Sequence, residues 1–282
     1  MLAKPNVVEM FPRRAKTSAE IAELMRIADE TPRDELRAMM EAHALDVRRK
    51  MSAQEAEENR QAQAERREMS ADRANIPASN SNASLDDPVA NAEHFAARQN
   101  LKAFVENYRH RTDGKYSNIG HMHLGTSLVL HGTPGTGKSR DAAAVMLALE
   151  PELDARWPTR RCIYASQDFI IGRVMRSSEA MEEYVTAPLL VIDDLGIKAV
   201  TNVQVQGKLC ELLKERHDAL RTTIITTNKT APQLADFLDE RIASRFSMQK
   251  MSDGKWSAPK PSGVWKFLSY TWADYRMGDV SL

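Results

Sequence analysis

The sequence predicts a three-layer α/β fold around a parallel sheet, preceded by a small helical region, and three observations carry that reading. Short apolar and β-branched runs alternate with helical patterns after about residue 89, as strands feeding crossover helices do. One run, Leu189-Leu190-Val191-Ile192, is continuously apolar, as a strand covered on both faces should be. Between a strand-like run and a helix-like one stands Gly132-Thr133-Pro134-Gly135-Thr136-Gly137-Lys138-Ser139, a G-x-x-x-x-G-K-[ST] loop in the context that motif requires.

The elements follow in order. A short helix is expected over residues 18–28, where Ile21, Leu24, Met25 and Ile27 share a Met-rich face. Thr31-Pro32-Arg33-Asp34-Glu35 supplies a cap, a proline at N1 and first-turn acids for another. From Arg48 to Arg73 the large apolar residues are Met51 and Met69, so the segment reads as a solvated single helix or a mobile linker. Asn75 to Pro88, rich in Asn, Ser, Asp and Pro, marks a domain boundary. Residues 1–70 thus form a helical and charged N-terminal region, 71–88 a linker and 89–282 the α/β domain. Within the latter we expect a helix over 89–109, strands at 127–131, 161–165, 189–192 and 222–227, helices over 141–149 and 205–220, and one or two helices over 167–184.

Composition bounds the rest. Lys plus Arg and Asp plus Glu number 39 each, so a nucleic-acid surface has to be local rather than global. Cys162 and Cys210 lack C-x-x-C spacing, which argues against zinc or a disulfide framework and for a reducing, cytoplasmic setting. The first fourteen residues hold no continuous apolar stretch, and no run is long enough to span a bilayer.

The chemistry is that of a nucleoside triphosphate. Gly132, Thr133, Pro134, Gly135, Thr136 and Gly137 let backbone N–H groups close around phosphates, Lys138 neutralises the β/γ oxygens and Ser139 ligates Mg2+. Asp193 and Asp194 end a central strand about 55 residues later. Asp193 is the expected magnesium partner and Asp194 the group that orients or deprotonates the attacking water. An Asp-Asp pair also caps helices; its distance from the loop favours the catalytic reading. Asn228, ending the strand 222–227, offers an amide toward the γ-phosphate or the lytic water. Arg241 and Arg245 lie four apart on one helix face, as surface ion-pair residues or as groups reaching a neighbour's nucleotide.

Taken together, Gly132 to Ser139, Asp193-Asp194-Leu195-Gly196, Thr226-Thr227-Asn228 and Glu240-Arg241-Ile242 through Arg245 resemble the Walker A, Walker B, sensor 1 and arginine-finger motifs of AAA+ ATPases in the DnaC/IstB group. Arg73-Ala74-Asn75-Ile76-Pro77 with Ser84-Leu85-Asp86, and Trp272-Ala273-Asp274-Tyr275-Arg276, are similar to the domain entry and the W-x-x-Y-R ending of DnaC-type helicase loaders. The resemblance spans roughly residues 70–278. It implies a P-loop AAA+ ATPase domain without a separate C-terminal lid, using ATP and Mg2+. It further implies a homo-oligomeric spiral that binds a DnaB-type replicative helicase through the N-terminal helical region and places it on single-stranded DNA. Arg245 takes the finger position with Arg241 as companion, and Arg276 a sensor-2-like one. Asp194 stands where many AAA+ proteins carry Glu, one methylene longer, so hydrolysis should be slow.

For DNA, Arg173, Arg176 and Ser177 surround an apolar set with Phe169, in a region that lines the single-strand path in the family. Phe169 itself reads as core rather than as a stacking platform. Lys250 to Ser262, with Lys255, Trp256 and Lys260, lies between two segments that look like late strands and reads as an extended hairpin tip, meeting nucleic acid or the helicase, or a solvated loop with its Trp packed back on the sheet. His121 and His123 lack a third metal ligand. Three other functions share the nucleotide motifs: an IstB-like transposition helper, a P-loop small-molecule kinase and a nucleotide-controlled adaptor with negligible turnover.

Overall fold

The computed structural model describes residues 33–112, 126–156, 159–196, 203–260 and 264–272. The chain divides into two compact units, Met1–Glu65 and Arg66–Leu282. Helix α1 runs Arg33–Ala74 without interruption, so the stretch offered as helix or linker is helix. Every side chain described from Glu41 to Glu65 is exposed. Its helicity rests on propensity and on pairs such as Lys50–Asp46 and Arg60–Glu57, each worth a few tenths of a kcal/mol. The helix expected over 18–28 lies outside the described residues.

In the second unit, the presumed linker is packed. Ala71 and Ala74 at the end of α1, then Ile76 and Ala83, are buried in the same cluster as the P-loop helix. Asn75 adopts φ 58°, the left-handed turn that ends a helix. A 3₁₀ turn, Ala78–Asn80, follows. The small and polar residues here misled as to flexibility, because alanines at helical spacing bury closely without looking apolar.

The alternation then unfolds as expected: α2 (Ala92–Thr112), β1 (Ser127–Gly132), α3 (Lys138–Arg156), β2 (Ile163–Ser166), α4 (Gln167–Val174), α5 (Ser178–Thr186), β3 (Leu189–Asp193), α6 (Val203–Asp218), β4 (Thr222–Thr227), α7 (Ala231–Phe237), α8 (Glu240–Arg245) and β5 (Trp265–Tyr270). The five strands are parallel in the order β2-β3-β4-β1-β5. Period-two alternation splits the core: Leu128, Leu130 and Ile224 face α2 and α3, whereas Val129 and Ile225 face α6 to α8. Two buried layers covering one sheet make the three-layer architecture. Among the described residues, a short hairpin and β5 are what follow α8.

Helix α7 was not anticipated, whereas β5 is the later of the two strand-like segments expected to flank Lys250 to Ser262. α7 is short and begins with a capping box, Thr230 and Gln233. β5 alternates only partly, being a sheet edge. Arg216 on α6 is fully buried and donates to Thr223 Oγ1 at 2.9 Å, to the Thr222 carbonyl and to the carbonyls of Tyr184, Val185 and Ala187. It ties the end of α5 to the start of β4.

Candidate nucleotide site

The phosphate loop is shaped by strand β5 as much as by its own glycines. Gly132 has φ 143°, and a Cβ there would fall 1.9 Å from the Tyr270 carbonyl oxygen, so no other residue fits. That carbonyl accepts from Thr133 N–H at 3.1 Å. Beyond it, Trp272 Nε1 donates to the Thr136 carbonyl at 3.1 Å, and Thr133 Oγ1 donates to the Trp272 carbonyl at 3.3 Å. Lys138 Nζ lies inside the loop, donating to the carbonyls of Gly132 and Thr133 at 3.0 and 2.6 Å.

A cavity of about 890 Å3 opens over this loop. Pro134, Gly135, Gly137, Lys138 and Ser139 line it, together with Asp194 and Asn228 from the ends of β3 and β4. Asp193 stands behind them: its Oδ1 accepts from Ser139 Oγ at 2.8 Å and from Thr226 Oγ1. Thr226 also accepts from the Asp194 backbone N–H at 2.9 Å, holding a residue whose φ is 60°. That turn separates the two carboxylates, one toward Ser139 and one toward the cavity. Burial and the neighbouring Asp193 push the Tyr164 phenol far above its ordinary pKa, so it stays a neutral donor, to the Ser139 carbonyl. Burial and Lys138 lower the pKa of His131, just before the loop.

Further lining comes from α2 and the packed segment before it. Asp141, fully buried on α3, accepts from Arg98 Nε at 3.0 Å, from Tyr270 OH at 2.9 Å and lies 3.2 Å from His94 Nε2. The His94 ring stacks on Trp272 at 4.8 Å. Arg140 pairs with Asp87 at 2.7 Å, and Arg98 also donates to the Asp87 carbonyl. Sequence reading missed Asp87, His94, Arg98, Asp141 and Thr226 as site residues. Their partners lie tens of residues away, and only the T-T-N run carried a local signal for Thr226.

Arg241 and Arg245 line no part of this cavity. Arg241 is 74% exposed and pairs with Asp239 at 2.8 Å. Arg245 pairs with Asp218 at 3.1 Å and donates to the Arg241 carbonyl at 3.2 Å. Phe169 is 54% exposed, which overturns the core reading: Ile170 and Val174 fill the buried face of α4 instead. Arg176 is exposed, while Arg173 pairs with Glu183 at 2.8 Å. Trp256 is buried, its Nε1 donating to Asp236 at 2.8 Å, in a hairpin closed by the Lys250–Trp256 bridge. His121, His123 and Arg276 lie outside the described residues. Among the described residues no group of three His, Cys, Asp or Glu could hold a metal, and no helix is long and apolar enough to cross a membrane. Both cysteines are buried and unpaired with each other.

A parallel sheet in this order, with phosphate loop, acidic strand end and polar amide around one cavity, is the architecture of a P-loop AAA+ domain. No family model matches the chain, and no curated protein matches it by sequence. Among solved structures it is similar to the DnaC helicase loader, at TM-score 0.52 and 20% identity over 69% of this chain and 99% of that one. It is also similar to DnaI, at TM-score 0.50 and 21% identity over 71% of this chain and 93% of that one. At these identities the likeness establishes the fold.

Proposed function

We propose that this chain is an ATP-hydrolysing loader that assembles with ATP, binds a DnaB-type replicative helicase and places it on single-stranded DNA. One observation carries the reading. Lys138, Ser139, Asp194 and Asn228 converge on one cavity, while Arg241 and Arg245 stand outside it. The arginines that do border the cavity are engaged by carboxylates, Arg98 by Asp141 and Arg140 by Asp87. A site of this kind is completed by a guanidinium from a neighbouring copy, which couples turnover to assembly. The fold shared with a helicase loader supports the same conclusion.

In this reading the loop N–H groups and Lys138 hold the phosphates, Asn228 faces the terminal one, and Asp194 orients the water. Ser139 Oγ and the Asp193 carboxylate, 2.8 Å apart, are hard oxygen donors of the type magnesium takes. Magnesium, when bound, neutralises phosphate charge. The short Asp194 side chain makes turnover slow.

The test mixes purified chain, ATP, single-stranded DNA and a DnaB-type helicase and follows mass by light scattering and phosphate release. The reading expects a nucleotide-dependent complex and DNA-stimulated release that Arg245→Ala abolishes with ATP still bound. Release independent of protein concentration and DNA would point to a self-contained phosphotransferase instead. Capture of a transposase in place of the helicase would redirect the assignment to a transposition helper.

A further inference from the structure

A group of arginines lies at the opposite end of the sheet from the nucleotide cavity. Strands β3 and β4 deliver Asp194 and Asn228 at their C-terminal ends, whereas a second cavity, of about 340 Å3, opens where β2 begins. Arg73, Arg160 and Arg161 line it. Arg221, just before β4, lies close behind; burial and repulsion from Arg160 pull its pKa down. Among the described lining residues the carboxylate is that of Glu183, shared by Arg161 and Arg173 at 2.8 Å each. Three guanidiniums and one carboxylate thus stand among the described lining residues.

The interior reinforces this charge. Helix α5 ends at the cavity, and its last carbonyls would bring the negative end of the helix dipole to the rim. Arg216 donates instead to the carbonyls of Tyr184, Val185 and Ala187. Its other described acceptors, the Thr222 carbonyl and Thr223 Oγ1, are neutral oxygens too. Its charge is thus satisfied by hydrogen bonds without being cancelled.

We propose that this arginine-lined cavity binds backbone phosphates of a nucleic acid, as a contact separate from the nucleotide site. Guanidinium forks match phosphate oxygens in pairs. The side chains named here are guanidiniums, which suit backbone phosphates and carry no base readout of their own. Arg73 and Arg160 are exposed.

The test measures anisotropy of a labelled oligothymidylate with the full chain across a salt series, without ATP, so that the outcome is independent of nucleotide-driven assembly. The Arg73→Ala/Arg160→Ala double variant should bind roughly tenfold more weakly, with the slope of log affinity against log salt reduced by about 1.4, two phosphate contacts at about 0.7 each. The single reversal Arg160→Glu, at an exposed position before β2, should weaken binding at unchanged Tm. Unchanged affinity and slope in both variants would overturn the proposal. So would binding of inorganic pyrophosphate that the double variant loses while oligonucleotide affinity stays the same, since the cavity would then hold a small free anion.

Discussion

At the scale of single residues, the paired carboxylates show how one backbone torsion assigns two roles. With φ at 60°, Asp194 turns away from Asp193, and Thr226 fixes both through one hydroxyl. Asp194→Asn keeps size and turn, since Asn tolerates the left-handed region as well as Asp does. It should leave ATP affinity within a few-fold and lower turnover by about 10² or more, the usual weight of a positioned base. Equilibrium nucleotide titration and single-turnover phosphate release check the two halves separately. Lys138, Ser139 and Asp193 were legible in the sequence because their chemistry is encoded by spacing along the chain. Thr226 was legible only as part of a motif. Phe169 was misread because an aromatic in an apolar helical pattern looks like core, whereas α4 is only eight residues long and buries Gln167, Ile170 and Val174.

At the scale of elements, the site is assembled by long-range clamps that spacing does not encode. Asp141 joins α3 to α2 through Arg98 and to β5 through Tyr270. Asp141→Ala leaves the Arg98 charge buried without its carboxylate, a loss of about 3–5 kcal/mol for a broken buried pair. In a domain of this size that lowers Tm by roughly 6–20 °C, at about 2–4 °C per kcal/mol. Differential scanning calorimetry of wild type and variant decides it; a fall under a degree would show that the clamp is idle. A second clamp, between α6 and β5, is pH-sensitive. Trp265 Nε1 donates to His217 Nδ1 at 3.2 Å, which requires that nitrogen unprotonated, and burial with nearby Arg245 lowers the His217 pKa. A histidine whose folded pKa lies below 6.5 binds fewer protons folded than unfolded, so stability falls as pH drops below 6.5. His131, shifted the same way by burial and Lys138, adds to this loss. Tm should therefore decline between pH 7 and pH 5.5, before the carboxylates protonate, and His217→Gln should flatten the decline. Equal slopes in both proteins would remove His217 from the account.

At the scale of the whole molecule, the composition of residues 71–88 suggested a linker, and their packing gives them a structural task. Ile76 and Ala83 are buried against the P-loop helix, and Asp87 receives Arg140 while its carbonyl receives Arg98. Both arginines border the nucleotide cavity. The compact unit begins at Arg66, in the last turns of α1, not at the first helix after the Asn- and Ser-rich stretch. Two truncations separate these boundaries. A chain starting at Arg66 retains the buried alanines, the 3₁₀ turn and Asp87, and should bind ATP within about twofold of the full chain; under the proposed function it should also fail to capture a helicase. A chain starting at Val89 strips the cover from Leu101 and the α3 face and leaves Arg140 without its carboxylate. Uncovering even a few apolar side chains at about 1.5–3 kcal/mol each approaches the net stability of an ordinary domain. That shorter chain should therefore melt well below the longer one and bind ATP at least tenfold more weakly, as read by thermal unfolding with and without nucleotide. Equal melting and equal affinity would mean that the segment merely rests on the domain, and the nucleotide cavity would then be defined by the strand ends and phosphate loop alone.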